Sequence, residues 1–203
     1  MPGVRTQTAC TRDDPGMTGC IRRVTHGLLL SLLLLHGSAS LGDERADNEY
    51  RIKAAFLYNF SSFTSWPEMA QQDSTQFRLC VVGHDPFEGA LDSLSGKKVN
   101  GVPLKVSRLA TGESMQSCQL AFISESETGR IEETLGGLTG KPVLTVSDID
   151  DFTLHGGIIR LKLVDNKVRF DINVDAAEQA GLKISSKLLS LATIIREEKV
   201  TAR

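Results

Sequence analysis

The feature that most constrains the fold is a series of short apolar or alternating runs separated by turn residues. Runs of about four to eight such residues are typical of strands in a well-covered sheet. Two stretches between them, residues 87–94 and 126–135, have the pattern of short helices. Strands that alternate with helices predict a mostly parallel sheet with both faces covered. The four runs are residues 77–82, 104–109, 119–123 and 143–146.

An antiparallel hairpin is predicted beside this sheet. Residues 158–163 and 167–172 have the composition of strands, and Asp165-Asn166 between them is a two-residue turn signal. We therefore expect an α/β fold, a three-layer sandwich with a mostly parallel sheet and an antiparallel edge hairpin. The sequence shows no internal repeat and no linker, so a single domain is the simplest interpretation.

An aromatic-rich helix is predicted before the first strand, over residues 49–63, with Pro67 expected to end it. Its aromatic side chains form either core or a partner-binding surface, because aromatic anchors dominate interfaces. The predicted apolar stripe consists of Ile52, Ala55, Phe56, Asn59, Phe60 and Phe63. The candidate partner-binding aromatics are Phe56, Tyr58, Phe60, Phe63 and Trp66.

A second pair of helices is predicted near the C-terminus. Residues 175–181 form a helix ended by Gly181, and residues 185–197 form the last one. Leu189 and Ile194 lie off the main apolar face of that last helix, so they join the candidate partner-binding residues.

The first 40 residues have the layout of a secretory signal peptide. Arg22 and Arg23 form a basic region, residues 28–35 an apolar run, and residues 37–39 a set of small side chains suited to cleavage. A spanning helix needs about 20 apolar residues, so this short run predicts export with cleavage rather than an anchor.

The charge balance excludes an electrostatic footprint for nucleic acid. Residues 1–40 contain four arginines and two aspartates, so the remaining chain carries 19 basic and 23 acidic side chains. Chains that bind nucleic acid typically have a marked excess of basic side chains, and this chain has no such excess.

The exported part of the chain has two cysteines, Cys80 and Cys118. They lie in or beside predicted strands that are neighbours in many doubly wound sheets, and the oxidising compartment permits a bridge. A disulfide is therefore expected, with two buried thiols as the alternative. These cysteines and the histidines His84 and His155 lack the spacing of metal ligands, so no metal site and no cofactor is predicted.

Candidate ligand-binding residues follow two of the predicted strands. His84 and Asp85 come after the first strand and Asp148 after the fourth, where open α/β sheets bind ligands. The alternatives are a plain turn at residues 83–87 and an N-cap role for Asp148. No Gly-x-Ser-x-Gly motif and no nucleophile–base pair is evident, so the sequence does not predict an enzyme.

Several segments together resemble the YfiR family. They are residues 50–60, Trp66-Pro67, residues 79–87, residues 143–148, Gly156-Gly157, residues 168–173 and residues 184–189. Each motif alone is weak, but their order and combination are specific, and the resemblance covers residues 48–196, which we expect to form a YfiR-like domain.

The resemblance implies a periplasmic protein that binds and represses an inner-membrane diguanylate cyclase, with an outer-membrane lipoprotein relieving the repression. Cys80 and Cys118 match one cysteine pair of the family. Some members have a second pair in the segment corresponding to residues 151–161, where this chain has no cysteine. That departure weakens the case for redox control by bridge reshuffling.

Two functional hypotheses follow. The first is a periplasmic regulator that binds a membrane signalling protein, either a diguanylate cyclase or another sensor. A homodimer is left open by the sequence. The alternative is a periplasmic protein that binds a small ligand near residues 83–87 and Asp148 and acts on another sensor.

Overall fold

The structure is a computed structural model that describes residues 41–67 and 75–196, with side chains from residue 48 onward. The predicted signal peptide lies outside the described residues. Within them, no helix is both long and apolar enough to cross a membrane.

The framework of the described chain is an eight-stranded, mostly parallel sheet. Its strands are β2 (Phe77–Val82), β3 (Lys98–Val99), β4 (Val102–Leu109), β5 (Leu120–Ile123), β6 (Leu144–Ser147), β7 (Ile159–Val164), β8 (Lys167–Asn173) and β10 (Thr193–Ile195). From edge to edge the order is β10-β8-β7-β6-β5-β2-β4-β3. A second, two-stranded sheet pairs β1 (Thr64–Ser65) with β9 (Lys183–Ile184).

The helices are one long element and several short ones. The long helix is α1 (Leu41–Phe63), and the short ones are α2 (Ile131–Gly136), α3 (Val174–Gln179) and α4 (Ser186–Leu189). Two 3-10 turns, Asp92–Leu94 and Glu125–Arg130, complete the connections. Asn173 caps α3, because its side chain accepts a hydrogen bond from the N–H of Ala176 at 2.9 Å.

Two apolar clusters cover the two faces of the sheet, which gives the three layers that the sequence predicts. On one face, α1 packs against alternate side chains of the strands, including Leu79, Phe122 and Phe170. On the other face, Cys80, Ala121 and their neighbours pack against the segments around α2. The parallel strands are buried on both sides because successive side chains point to opposite faces.

The predicted hairpin is confirmed. β7 and β8 pair antiparallel from Ile159↔Ile172 to Val164↔Lys167. Asp165 and Asn166 both have positive φ, 50° and 57°, as a tight two-residue hairpin turn requires. The hairpin is not the outermost pair, however, because β10 adds in parallel to β8 and forms the edge.

The last predicted helix, residues 185–197, is wrong beyond its first turn. After α4 the chain enters β10, where Thr193, Ile194 and Ile195 pair with Asp171, Ile172 and Asn173. Three β-branched residues in a row favour an extended strand over a helix, and the open edge of β8 supplies the hydrogen bonds.

The predicted apolar stripe of α1 is also displaced. Ala54, Leu57 and Phe60 are the apolar side chains that α1 buries, whereas Ile52 is 41% exposed. The helix ends at Phe63, before Pro67, because Thr64 and Ser65 form β1. Ala55 and Asn59 of the predicted stripe are exposed, and the buried face is rotated to include Ala54 and Ser61.

Candidate functional site: a charged cleft at the carboxyl edge of the sheet

A cleft opens where β6 ends and β7 continues. β6 pairs with β7 only as far as Ser147↔Arg160, whereas β7 runs on to Val164 in its pairing with β8. The space beside the outer half of β7 is a cleft of about 450 Å³. Its walls come from α1, the turn after β5, the turn after β6 and β7 itself. Open α/β sheets bind ligands at this carboxyl edge.

A buried ion-pair network joins α1 to the turn after β6. The Lys53 ammonium lies 2.6 Å from the Asp148 Oδ2 atom and 2.6 Å from the Glu49 Oε1 atom. The Tyr50 hydroxyl donates a hydrogen bond to the same Asp148 oxygen at 3.0 Å. The Lys53 and Asp148 side chains are 5% and 10% exposed, so this network is held in a low-dielectric setting where each lost partner is costly.

The environment of Tyr50 is both apolar and negative. Burial, and then the Asp148 carboxylate, raise the pKa of Tyr50 well above its ordinary value. Glu49 and Glu125 act in the same direction. The ring packs edge-on against Phe87 with centroids 5.3 Å apart. The raised pKa keeps the phenol protonated, so Tyr50 is a neutral hydrogen-bond donor in the lining of the cleft.

One carboxylate oxygen in this network has no partner among the described residues. Asp148 Oδ2 accepts from Lys53 and Tyr50, but Asp148 Oδ1 is buried and makes no hydrogen bond. Buried acceptors are nearly always satisfied in folded proteins, so an orphan in a cleft is a point at which a donor from another molecule is favoured.

The other wall carries two further ion pairs. Arg160 pairs with Asp150, and Lys162 lies 2.6 Å from the Asp171 Oδ1 atom. Asp171 is buried and sits beside the cleft rather than in its lining. Each cation of the cleft therefore already has an acidic partner.

The structure places the three predicted ligand residues in two different settings. Asp148 lines the cleft, whereas His84 and Asp85 do not. Asp85 accepts a hydrogen bond from the N–H of Phe87 at 2.8 Å and pairs with Arg108 at 2.7 Å. His84 is exposed, and its main-chain N–H donates a hydrogen bond to the Ser126 hydroxyl at 3.0 Å.

The N-cap role considered for Asp148 belongs to its neighbour. Ser147 Oγ accepts the hydrogen bond from the N–H of Ile149 at 3.0 Å and donates to the Ile123 carbonyl at 2.7 Å. The Asp148 carboxylate is therefore free to face α1. The chain after Asp148 is a series of turns over residues 149–156.

The predicted partner-binding aromatics divide between core and surface. Phe60 and Trp66 are buried, with Trp66 Nε1 donating to the Gln119 carbonyl at 3.1 Å. Phe56, Tyr58 and Phe63 are half-buried around that core. Toward the C-terminus, Leu189 is half-buried and Ile194 is 40% exposed.

A disulfide bond joins Cys80 to Cys118, with 6.0 Å between their Cα atoms. It ties the segment before β5 to the centre of β2, on the face opposite α1. The bond is buried and does not border the cleft.

Sequence inspection missed most of the cleft residues, Glu49, Tyr50, Lys53, Arg160 and Lys162 among them. One signal was available: Lys53 directly precedes the apolar run of residues 54–58, and a lysine on a buried face requires a carboxylate partner. Among the described residues, no group of three or more His, Cys, Asp or Glu side chains is arranged to hold a metal ion.

A three-layer α/β domain with a charged cleft at the carboxyl edge of its sheet is the framework of many binding proteins. The family model described as YfiR/HmsC-like matches residues 50–193, and the chain belongs to this family. It is a regulatory, non-enzymatic family of periplasmic proteins that act in cyclic-di-GMP signalling together with membrane signalling proteins.

Among solved structures, the chain is similar to a conserved domain protein from Vibrio cholerae O1 biovar El Tor. The two share 12% identity with a TM-score of 0.46. The match covers 71% of this chain and spans 60% of the length of the other.

Proposed function

We propose that this protein is a periplasmic regulator that binds the periplasmic part of an inner-membrane diguanylate cyclase and represses it. The observation that carries the proposal is the family match over residues 50–193, which includes every residue that lines the cleft except Glu49. Residues 1–40 supply the export signal, and an outer-membrane lipoprotein that competes for the protein relieves the repression. A homodimer is compatible with this scheme.

Cellular cyclic-di-GMP tests the proposal directly. Deleting the gene raises the cyclic-di-GMP level, and expressing the exported protein from a plasmid restores the original level. The control is the same chain without residues 1–40, which stays in the cytoplasm and restores nothing. An unchanged level on deletion, under growth conditions in which the gene is expressed, contradicts repression of a cyclase.

A second candidate function rests on the cleft itself. A volume of about 450 Å³ lies within the range of small-molecule sites, and the lining is polar with an unpartnered oxygen on Asp148. In this alternative a small ligand enters the cleft and the protein conveys its presence to a membrane sensor. The two candidates differ in what fills the cleft.

A further inference from the structure

The register of the β7–β8 hairpin determines which main-chain groups of β7 face the cleft. The N–H of Asn173 donates to the carbonyl of Ile158, so Ile158 and Asn173 form a hydrogen-bonded pair. Hydrogen-bonded pairs alternate along an antiparallel ladder, so Arg160 and Lys162 also bond to β8. The main-chain groups of Leu161 and Leu163 point to the opposite side, toward the position of β6.

Beyond Ser147, no described strand lies at that position. Pairing between β6 and β7 ends at Ser147↔Arg160, and no other described strand pairs with β7 on that side. The N–H and C=O of Leu163 therefore border the cleft without a strand partner. A strand edge of this kind is a template for an added strand.

The charges of the cleft select the side chains of what binds there. The lining carries the carboxylates of Glu49, Glu125, Asp148 and Asp150 against three cations. Burial, and then the Asp148 carboxylate, raise the pKa of Tyr50, and the effect of the carboxylate reflects the same negative surroundings. The buried Asp148 Oδ1 atom accepts no hydrogen bond and favours a donor, whereas the buried Arg160 Nε atom donates none and favours an acceptor such as a main-chain carbonyl. An ammonium or guanidinium group provides both the donor and the positive charge.

We propose that the cleft binds a short extended segment of the membrane partner, which adds as a strand beside β7 and directs a Lys or Arg side chain toward Asp148. This inference rests on the proposed function, because it names the chemistry of the partner. The free stretch of β7 accommodates about three residues, since a strand rises about 3.3 Å per residue. Main-chain bonds to Leu163 supply affinity, and the basic side chain supplies specificity.

A synthetic peptide tests this site without the partner. The probe is acetyl-Val-Lys-Val-Lys-Val-amide, titrated into the purified exported protein by isothermal titration calorimetry. Its matched controls are the same peptide with Glu in place of Lys, a version N-methylated along the backbone, and spermidine as a small cation. Amide hydrogen exchange at Leu163 is followed in parallel, because only an added strand protects that N–H.

The proposal predicts that the Lys peptide binds at least tenfold more tightly than the Glu peptide and slows exchange at Leu163. N-methylation abolishes binding. Asp148→Asn weakens binding at least tenfold, whereas Asp165→Asn at the exposed hairpin tip leaves it unchanged. Equal affinity of the two charged peptides, or no binding of the Lys peptide at about 1 mM, overturns the proposal. So does spermidine binding as tightly as the peptide without protecting Leu163, which identifies a small-cation site instead.

The failure of this site and the failure of the proposed function give different results. If the peptide binds but gene deletion does not change the cyclic-di-GMP level, the cleft is a peptide-binding site. The partner that supplies the peptide is then not a diguanylate cyclase. A rise of cyclic-di-GMP on gene deletion without any peptide binding supports the proposed regulator. In that case its interface with the partner lies away from β7.

Discussion

The two halves of the described part of α1 differ in what they place against the same sheet. The first half contributes Glu49, Tyr50 and Lys53 to a charged cleft. The second half contributes Phe56 and Phe60, which pack on Phe170 with ring centroids 5.6 and 5.1 Å away. The polar half lies at the carboxyl ends of the strands, where open α/β sheets bind ligands, and the aromatic half packs against β8. One helix thus serves as core at one end and as a wall of the charged cleft at the other.

This difference teaches that one helix can supply both aromatic packing and a charged cleft. Phe60 and Trp66 pack in the core, whereas Phe56, Tyr58 and Phe63 keep part of their surface exposed, and the cleft is built from ion pairs. The changes below separate the two halves, from the largest expected effect to the smallest.

Phe60→Ala tests the aromatic half. Its ring is fully buried and contacts Phe56 and Phe170, so its removal leaves a cavity and costs about 3–5 kcal/mol of unfolding free energy. Urea denaturation measures the loss. Asn59→Ala, one residue away on the exposed side, is the control and shifts stability by less than about 0.5 kcal/mol. If Phe60→Ala lowers the unfolding free energy by less than about 1 kcal/mol, the Phe60 ring is not part of the packed core.

Cys80→Ser tests the face of the sheet that neither half of α1 touches. The disulfide closes a 38-residue separation, so its loss lowers the unfolding free energy by about 4 kcal/mol in the chain-entropy treatment. Thermal unfolding with and without reductant measures the effect. The wild type and the variant differ widely under oxidising conditions and converge with reductant. An equal difference in both conditions means that two thiols, not a bond, occupy these positions.

Lys53→Ala tests the charged half. It leaves the nearly buried Asp148 without its ion pair, at a cost of about 3 kcal/mol. The double variant Lys53→Ala, Asp148→Asn removes the uncompensated charge, and it is more stable than Lys53→Ala alone. Denaturation of the wild type, both single variants and the double variant completes the cycle. Strict additivity of the two single effects shows that the residues do not interact.

The titration of Tyr50 gives the smallest effect. The chain has two tyrosines, so Tyr58→Phe leaves Tyr50 as the only phenol, and its ultraviolet absorbance reports its ionisation. The pKa of Tyr50 lies above the ordinary value of about 10, because of burial and Asp148. The folded state therefore binds the phenolic proton more tightly than the unfolded state does. The resulting stabilisation is complete below pH about 10 and is lost as the pH rises further.

A midpoint at or below the ordinary value contradicts the contact between Tyr50 and Asp148. Asp148→Asn in the Tyr58→Phe background is the matched control. It lowers the midpoint, because the carboxylate no longer opposes ionisation, while burial of the ring persists.

The sequence allowed the sheet, the hairpin and the cysteine pair to be predicted, because each has a local signal. Apolar runs such as Phe77–Val82 mark covered strands, and Asp165-Asn166 marks a tight turn. The strand β10 could not be predicted in the same way. Its residues also fit a helical apolar face, and only the open edge of β8 decides between the two.

The cleft was harder to predict than the fold because its residues are far apart in sequence. Asp148 was identified from its place after a strand, but Lys53 lies 95 residues away and Tyr50 lies 98 away. The cleft itself results from a difference in strand length, since β6 stops at Ser147 and β7 continues to Val164. Strand ends are the least certain part of any sequence-based assignment.

The most direct test of the account is complementation with Asp148→Asn. A strain that lacks the gene receives either the wild-type exported protein, Asp148→Asn, or the control Asp165→Asn, at matched periplasmic amounts and with thermal unfolding checked for each. The account predicts that the wild type and Asp165→Asn restore a low cyclic-di-GMP level and that Asp148→Asn does not. Full restoration by folded Asp148→Asn would contradict the claim that the charged half of α1 and its cleft bind the partner.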